Sequence, residues 1–230
     1  MQVTVKKMQL PPDIRYSKEA EQAGLKGATI SMFPTLFHFV AALQRSKRTF
    51  AILFRSFGAD HETIKAEWNA FCKMEHPVYS KFLDGVGPMD GTKPGVPDRR
   101  IHALHTMYRD DAGPILILNT FTNGPNDKSW DSWAKSKPKP EVDTRNGRHY
   151  AVNVLKAETV EGFANIQEWM RKHIYEQVTA AIKDDWAWWQ WHGEKAHAGK
   201  LLTLIGGAEE TEQLFFDDNI DIRDTRIVDC

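Results

Sequence analysis

The sequence predicts an α/β fold, a three-layer sandwich on a mainly parallel sheet with a β-hairpin attached or inserted. Three observations lead there. Short and almost wholly apolar runs at residues 49–54 and 201–205 alternate with amphipathic helical stretches. Strands covered on both faces read this way, and they belong to parallel sheets flanked by helices. Residues 33–73 give helix, strand and helix in succession, the repeating unit of that class. Acidic residues follow the apolar run 214–216 directly, at the strand edge where open sheets receive ligands.

Taken in order, residues 1–32 are polar, carry Pro11 and Pro12 and show no period. They read as an N-terminal arm or loop. Residues 33–230 then form one domain, with 85–148 as a loop-and-hairpin excursion. Apolar positions 33, 36, 37, 40 and 43 have helical spacing, with Ser31 as a cap and Pro34 in the first turn. The strand at 49–54 follows. A second helix opens with Asp60 as cap and Glu62 in its first turn, and its buried stripe is Ile64, Trp68, Phe71 and Cys72.

Four glycines and three prolines within residues 85–97 mark an irregular loop. Residues 101–108 and 115–118, separated by Asp110-Asp111-Ala112-Gly113, form an antiparallel hairpin. The polar stretch 123–148, with Lys135, Lys137 and Lys139, is a solvated surface excursion. A long helix begins after Thr159 on the stripe Phe163, Ile166, Trp169, Met170, Ile174, Val178 and Ile182. Further strands are expected at 201–205 and 214–216. Residues 226–230 are strand-like too, which leads us to expect that the native chain continues beyond them.

Composition narrows the function classes. The chain has 230 residues, 41% hydrophobic and 27% charged, with 30 Lys plus Arg against 31 Asp plus Glu. That balance argues against a nucleic-acid-coating protein. No apolar run approaches the ~20 residues that span a bilayer, and the first residues hold no signal-peptide core. Two cysteines, Cys72 and Cys230, make no disulfide framework. A soluble cytoplasmic protein is the expectation, with neither nucleic acid nor membrane as partner.

Three groups of residues could carry chemistry. Asp217, Asp218 and Asn219 follow an apolar run, and their oxygens suit Mg²⁺, which takes one or two protein carboxylates; the same residue types also favour turns and caps. Ser56, with Gly58 behind it and a helix N-terminus to follow, could hold a phosphate oxygen, or be a turn residue. Lys200 could neutralise phosphate charge, or be a solvated edge residue.

Together and in chain order, Ile52-Leu-Phe-Arg-Ser56, Gly199-Lys200 and Leu214-Phe-Phe-Asp-Asp218 resemble motifs two, three and four of the haloacid-dehalogenase-like superfamily. Residues 49–72 and 199–230 also resemble an uncharacterised eukaryotic branch of it. The resemblance implies a Rossmannoid three-layer domain for Mg²⁺-dependent phosphoryl transfer or hydrolysis. Ser56, Gly58 and Lys200 would hold the phosphoryl group of a phosphorylated small molecule. Ser56 and Lys200 would serve catalysis, and Asp217 with Asp218 would hold Mg²⁺. The family's first motif, an apolar strand ending in the nucleophilic Asp, has no match before Phe33. Residues 1–32 offer only Asp13, with no strand before it, and Asp84 and Asp90 are out of order. The expectation is therefore a phosphatase-type domain inactive as given, either a piece lacking its first strand or a pseudo-phosphatase.

The remaining features read more plainly. His102 and His105 sit in a strand, where i and i+3 face opposite sides, and no tetrahedral zinc set can be assembled. Cys72 lies on an apolar stripe and reads as an inert buried thiol. Trp186, Trp188, Trp189 and Trp191 either pack the end of the long helix onto the sheet or present a surface to a protein partner.

Overall fold

The structure is a computed structural model that describes residues 8–125, 127, 130, 146–202, 212–217 and 228–229, the last two by backbone alone. Its elements in chain order are α1 (Lys18–Gln22), α2 (Pro34–Arg45), β1 (Leu53–Ser56), α3 (His61–Cys72), β2 (Leu104–Asp110), β3 (Gly113–Ile117), β4 (Thr159–Glu161), α4 (Phe163–Tyr175), β5 (Ala180–Lys183), α5 (Trp186–Trp191), β6 (Lys200–Leu201) and β7 (Val228–Asp229), with shorter helical turns between.

Five strands form an open sheet in the order β1-β5-β2-β3-β4, and β6 pairs in parallel with β7. The β1–β5 pair is parallel: the Ala180 N–H donates to the Ile52 carbonyl (3.1 Å) and the Asp184 N–H to the Ser56 carbonyl (2.8 Å), so both partners advance together. β2 and β3 are the antiparallel hairpin, closed by Asp110 opposite Gly113, and β4 pairs antiparallel with β3. The chain is thus mixed α/β. The open sheet is mixed: it joins the parallel β1–β5 pair to the antiparallel β2, β3 and β4, so the hairpin is part of it.

The chain divides into two compact units: Met1–Leu53, Asp60–His102 and His173–Ala181 make the first; Phe54–Ala59, Ala103–Lys172 and Ile182–Cys230 make the second. The stretch expected as an arm is folded into the first unit. Leu10, Ala20, Ala23, Leu25 and Ile30 are buried with Ala70 of α3. Tight backbone bonds gather these aperiodic residues, Leu10 N–H to Ala28 O (2.7 Å) and Ile30 N–H to Met8 O (2.9 Å). Gly24 has φ +76, and a Cβ there would collide with Ala66, so the approach of this segment to α3 requires glycine. Phe37 of α2 packs on Phe71 (4.7 Å between rings) and stacks on Tyr79 (4.8 Å). In the second unit Ile115, Ile117 and Ala151 form a buried cluster.

Several boundaries move for identifiable reasons. α2 starts at Pro34, whose fixed φ suits a first helical turn. The N-cap is Phe33 rather than Ser31; the Ser31 N–H donates to Glu67 Oε2 at 2.7 Å. β1 begins at Leu53 and is half-buried; before it, the Arg99 guanidinium lies 3.5 Å over the Phe50 ring and donates to the Phe50 carbonyl. α4 ends at Tyr175 although the apolar stripe runs on to Ile182. Gln177 turns the chain with φ +57, and residues 180–183 become the fully buried β5. Thr159 lies in β4 rather than capping α4, since Gly162 at φ +82 breaks the chain between them. Residues 214–216 are not a strand: 212–217 carry no regular structure, and Leu214 and Phe216 are exposed. A three-residue apolar run has no period of its own, and pairing decides its conformation. Residues 203–211, most of the polar stretch 123–148 with Lys135, Lys137 and Lys139, and Asp218 and Asn219 lie outside the described residues.

Candidate functional site

The second unit gathers charged side chains where β1 and β5 end side by side. Arg55 and Ser56 close β1. Lys183 closes β5, and Asp184 and Asp185 follow it. Adjacent ends of parallel strands are the usual ligand edge of an open α/β sheet.

Arg55 forks onto Asp184: Nε donates to Oδ2 at 2.8 Å and a terminal nitrogen to Oδ1, with the two side chains only 8% and 2% exposed. Another terminal nitrogen of Arg55 donates to the Leu201 carbonyl at 3.0 Å. Lys183 Nζ donates to Asp127 Oδ2 at 2.7 Å. Asp185 caps α5 by accepting from the Trp188 N–H at 3.1 Å, and it accepts from the Arg109 N–H at 3.1 Å. Burial, the largest influence, pushes its carboxyl above the usual range despite those bonds. Arg109 in turn donates to the carbonyls of Gly199 (2.9 Å) and His197 (3.0 Å), which fixes the turn before Lys200.

The sequence-predicted residues fall as follows. Ser56 is half-buried at the end of β1, and its hydroxyl accepts from the Gly58 N–H at 3.0 Å; Gly58 is exposed. Lys200 opens β6 as a buried residue, not a solvated one. Its ammonium donates to Asp217 Oδ2 at 2.5 Å, with side chains 8% and 5% exposed. It also lies 5.3 Å from the ring centre of Phe57, the neighbour of Ser56. The structure therefore joins Lys200 to Asp217 directly, and brings both to the chain beside Ser56. Asp217 reaches this position from irregular chain, not from the end of a strand.

Phe57 stacks on Trp189 at 5.0 Å and 15°. The other tryptophans of α5 divide: Trp188 is half-buried against His192, with rings 4.1 Å apart, whereas Trp186 and Trp191 are 46% and 77% exposed. The cluster thus packs with its inner members only. Among the described residues no group of three or more His, Cys, Asp or Glu is assembled for a metal ion, and none of their helices is long and apolar enough to cross a membrane. Cys72 is buried, and burial drives its thiol pKa well up, which leaves it a poor nucleophile.

Arg55, Lys183, Asp184, Asp185 and Arg109 escape a reading by sequence alone, yet a signal for three of them is present. Residues 180–182 are an apolar run, and Lys183-Asp184-Asp185 follows it, the same pattern that drew attention to Asp217 and Asp218. It is hidden because Val178 and Ile182 fit the stripe of the preceding helix.

No protein-family model matches the chain, and neither the curated proteins nor the solved structures provide a match.

Proposed function

We propose that the charged site of the second unit is the phosphoryl-binding site of a haloacid-dehalogenase-like domain of the Rossmannoid type over residues 33–230, built for the chemistry of Mg²⁺-dependent phosphohydrolases and without turnover in the chain as given. Ser56 and Lys200 hold the phosphoryl group of a small phosphate ester, with Gly58 shaping the turn beside them. One observation carries the reading: the buried Lys200 ammonium, set on Asp217 and over the ring next to Ser56. Burying an ammonium is costly, and one kept at a sheet edge over the ring next to Ser56 suits an anion whose charge must be offset. Of the two carboxylates assigned to Mg²⁺, Asp217 is engaged by Lys200 and Asp218 lies outside the described residues, so the reading rests on Ser56 and Lys200 rather than on a metal. The absence of turnover rests on the missing strand-end Asp before Ser56, since this chemistry needs a covalent carboxylate nucleophile.

The test is calorimetric titration of the purified chain with inorganic phosphate, with and without Mg²⁺, beside an assay on a generic aryl phosphate. Phosphate should bind, Ser56→Ala and Lys200→Ala should each remove binding, and the aryl phosphate should stay intact. No binding, or binding indifferent to both substitutions, overturns the phosphoryl reading. Metal-dependent turnover lost in Asp217→Asn would overturn its inactive part and send the search for a nucleophile to Asp13 and Asp84.

A second reading, a protein-contact module, is favoured by the exposure of Trp186 and Trp191 on α5. Large exposed aromatics are typical anchors of interfaces.

A further inference from the structure

Arg55 stands immediately before Ser56, and its guanidinium is spent on two places that matter for the phosphoryl site. The fork onto Asp184 fixes the residue whose N–H donates to the Ser56 carbonyl at 2.8 Å. The remaining bond, to the Leu201 carbonyl at 3.0 Å, fixes the residue that follows Lys200. One buried cation therefore ties the chain at Ser56 to the chain at Lys200, with Asp184 as the rigid third point. A planar five-donor fork can hold three acceptors in a fixed arrangement, which an ammonium cannot. An ion pair kept for stability alone has no need of the Leu201 bond, and apolar residues of similar volume would commonly serve as well.

We infer that Arg55 and Asp184 are positioning residues that set the separation of the Ser56 hydroxyl and the Lys200 ammonium, and so the affinity of the site for a phosphoryl group. The inference rests on the phosphoryl-binding reading above. Binding groups held by locked supporting residues lose affinity when the support is loosened, by about tenfold to a hundredfold in comparable metal sites.

The experiment uses the full chain and inorganic phosphate, titrated at a temperature where circular dichroism shows every variant folded. Arg55→Lys and Asp184→Asn should weaken phosphate binding by about tenfold or more. Arg148→Lys is the control: Arg148 forks onto Asp110 in the same unit, but at the hairpin, and its loss should leave phosphate affinity unchanged. Should Asp184→Asn not fold, the double variant Arg55→Met with Asp184→Leu replaces the pair by apolar bulk. It should fold and still bind phosphate poorly, whereas a merely structural pair would give normal affinity. Unchanged affinity in Arg55→Lys and in the double variant, with binding still lost in Ser56→Ala, overturns the positioning role and leaves the phosphoryl reading standing. A wild-type chain that binds no phosphate, or binds it equally in Ser56→Ala, overturns both.

Discussion

In the first unit, buried polar groups are closed largely by backbone. Arg99 has no carboxylate partner among the described residues: it donates to the carbonyls of Phe50 and Gln177 and to the Gln177 side-chain oxygen (2.8 Å), and burial draws its pKa down to about 10. His76 accepts the N–H groups of Val78 (3.1 Å) and Tyr79 (3.2 Å) at Nδ1, which assigns its proton to Nε2, facing Glu67 Oε1 at 3.2 Å. In the second unit, buried charges meet each other: Arg55 with Asp184, Lys183 with Asp127, Lys200 with Asp217. Backbone groups cannot leave, so the first arrangement locks a structure. A side-chain partner can be exchanged for a ligand, so the second arrangement is the one suited to binding.

The largest effect that would sharpen this contrast is expected at Asp184. Asp184→Ala strands the Arg55 cation in a buried place and should cost about 3–5 kcal/mol in urea unfolding. Glu67→Gln should cost less, about 1–3 kcal/mol. The amide oxygen can keep the Ser31 N–H, but the amide nitrogen then faces the protonated Nε2 of His76. Moving that proton to Nδ1 would sacrifice the Val78 and Tyr79 bonds. Equal losses in the two variants would break the contrast, because the first unit would then depend on its charge as strongly as the second.

Much of the secondary structure is legible from spacing. α2, α3 and the β2–β3 hairpin follow from apolar periodicity, Pro34 and the Asp111-Ala112 turn, since each is settled within a dozen residues. The buried role of residues 8–32 is not, because Leu10, Leu25 and Ile30 share no period and only tight turns bring them together. At the candidate site, the strand-then-serine pattern marks Ser56, and a lysine opening a strand marks Lys200. The Arg55–Asp184 fork joins residues 129 positions apart, and nothing local announces it. β5 is the instructive miss: a helical stripe and a short buried strand give the same residues at 178–182, and only the left-handed turn at Gln177 separates them.

The smallest expected effect concerns acid, where the two units should respond with opposite sign. In the first unit the Arg100 side chain, hydrogen-bonded to Asp98 (Nε to Oδ1 3.0 Å), lowers the Asp98 carboxyl to about 2. A folded-state value below the unfolded one contributes stability that is present above the ordinary carboxylate range and is lost as pH falls from about 4 towards 2. Asp98 is partly exposed, so solvent screening limits the contribution to about 1 kcal/mol. In the second unit burial holds Asp185 above its ordinary value. The folded state then takes up its proton first, and stability rises as pH falls through that value towards the ordinary one. Amide hydrogen exchange followed by NMR between pH 6 and 3 reads the two separately. Amides of α5 should gain protection on mild acidification, and Asp185→Asn, already neutral, should abolish the gain. Amides around Ile101 should lose protection only below about pH 4, and Asp98→Asn should flatten that loss. A common response in both sets of amides would mean that the two units open together in acid, and the contrast in how they bury charge would then have no separate energetic consequence.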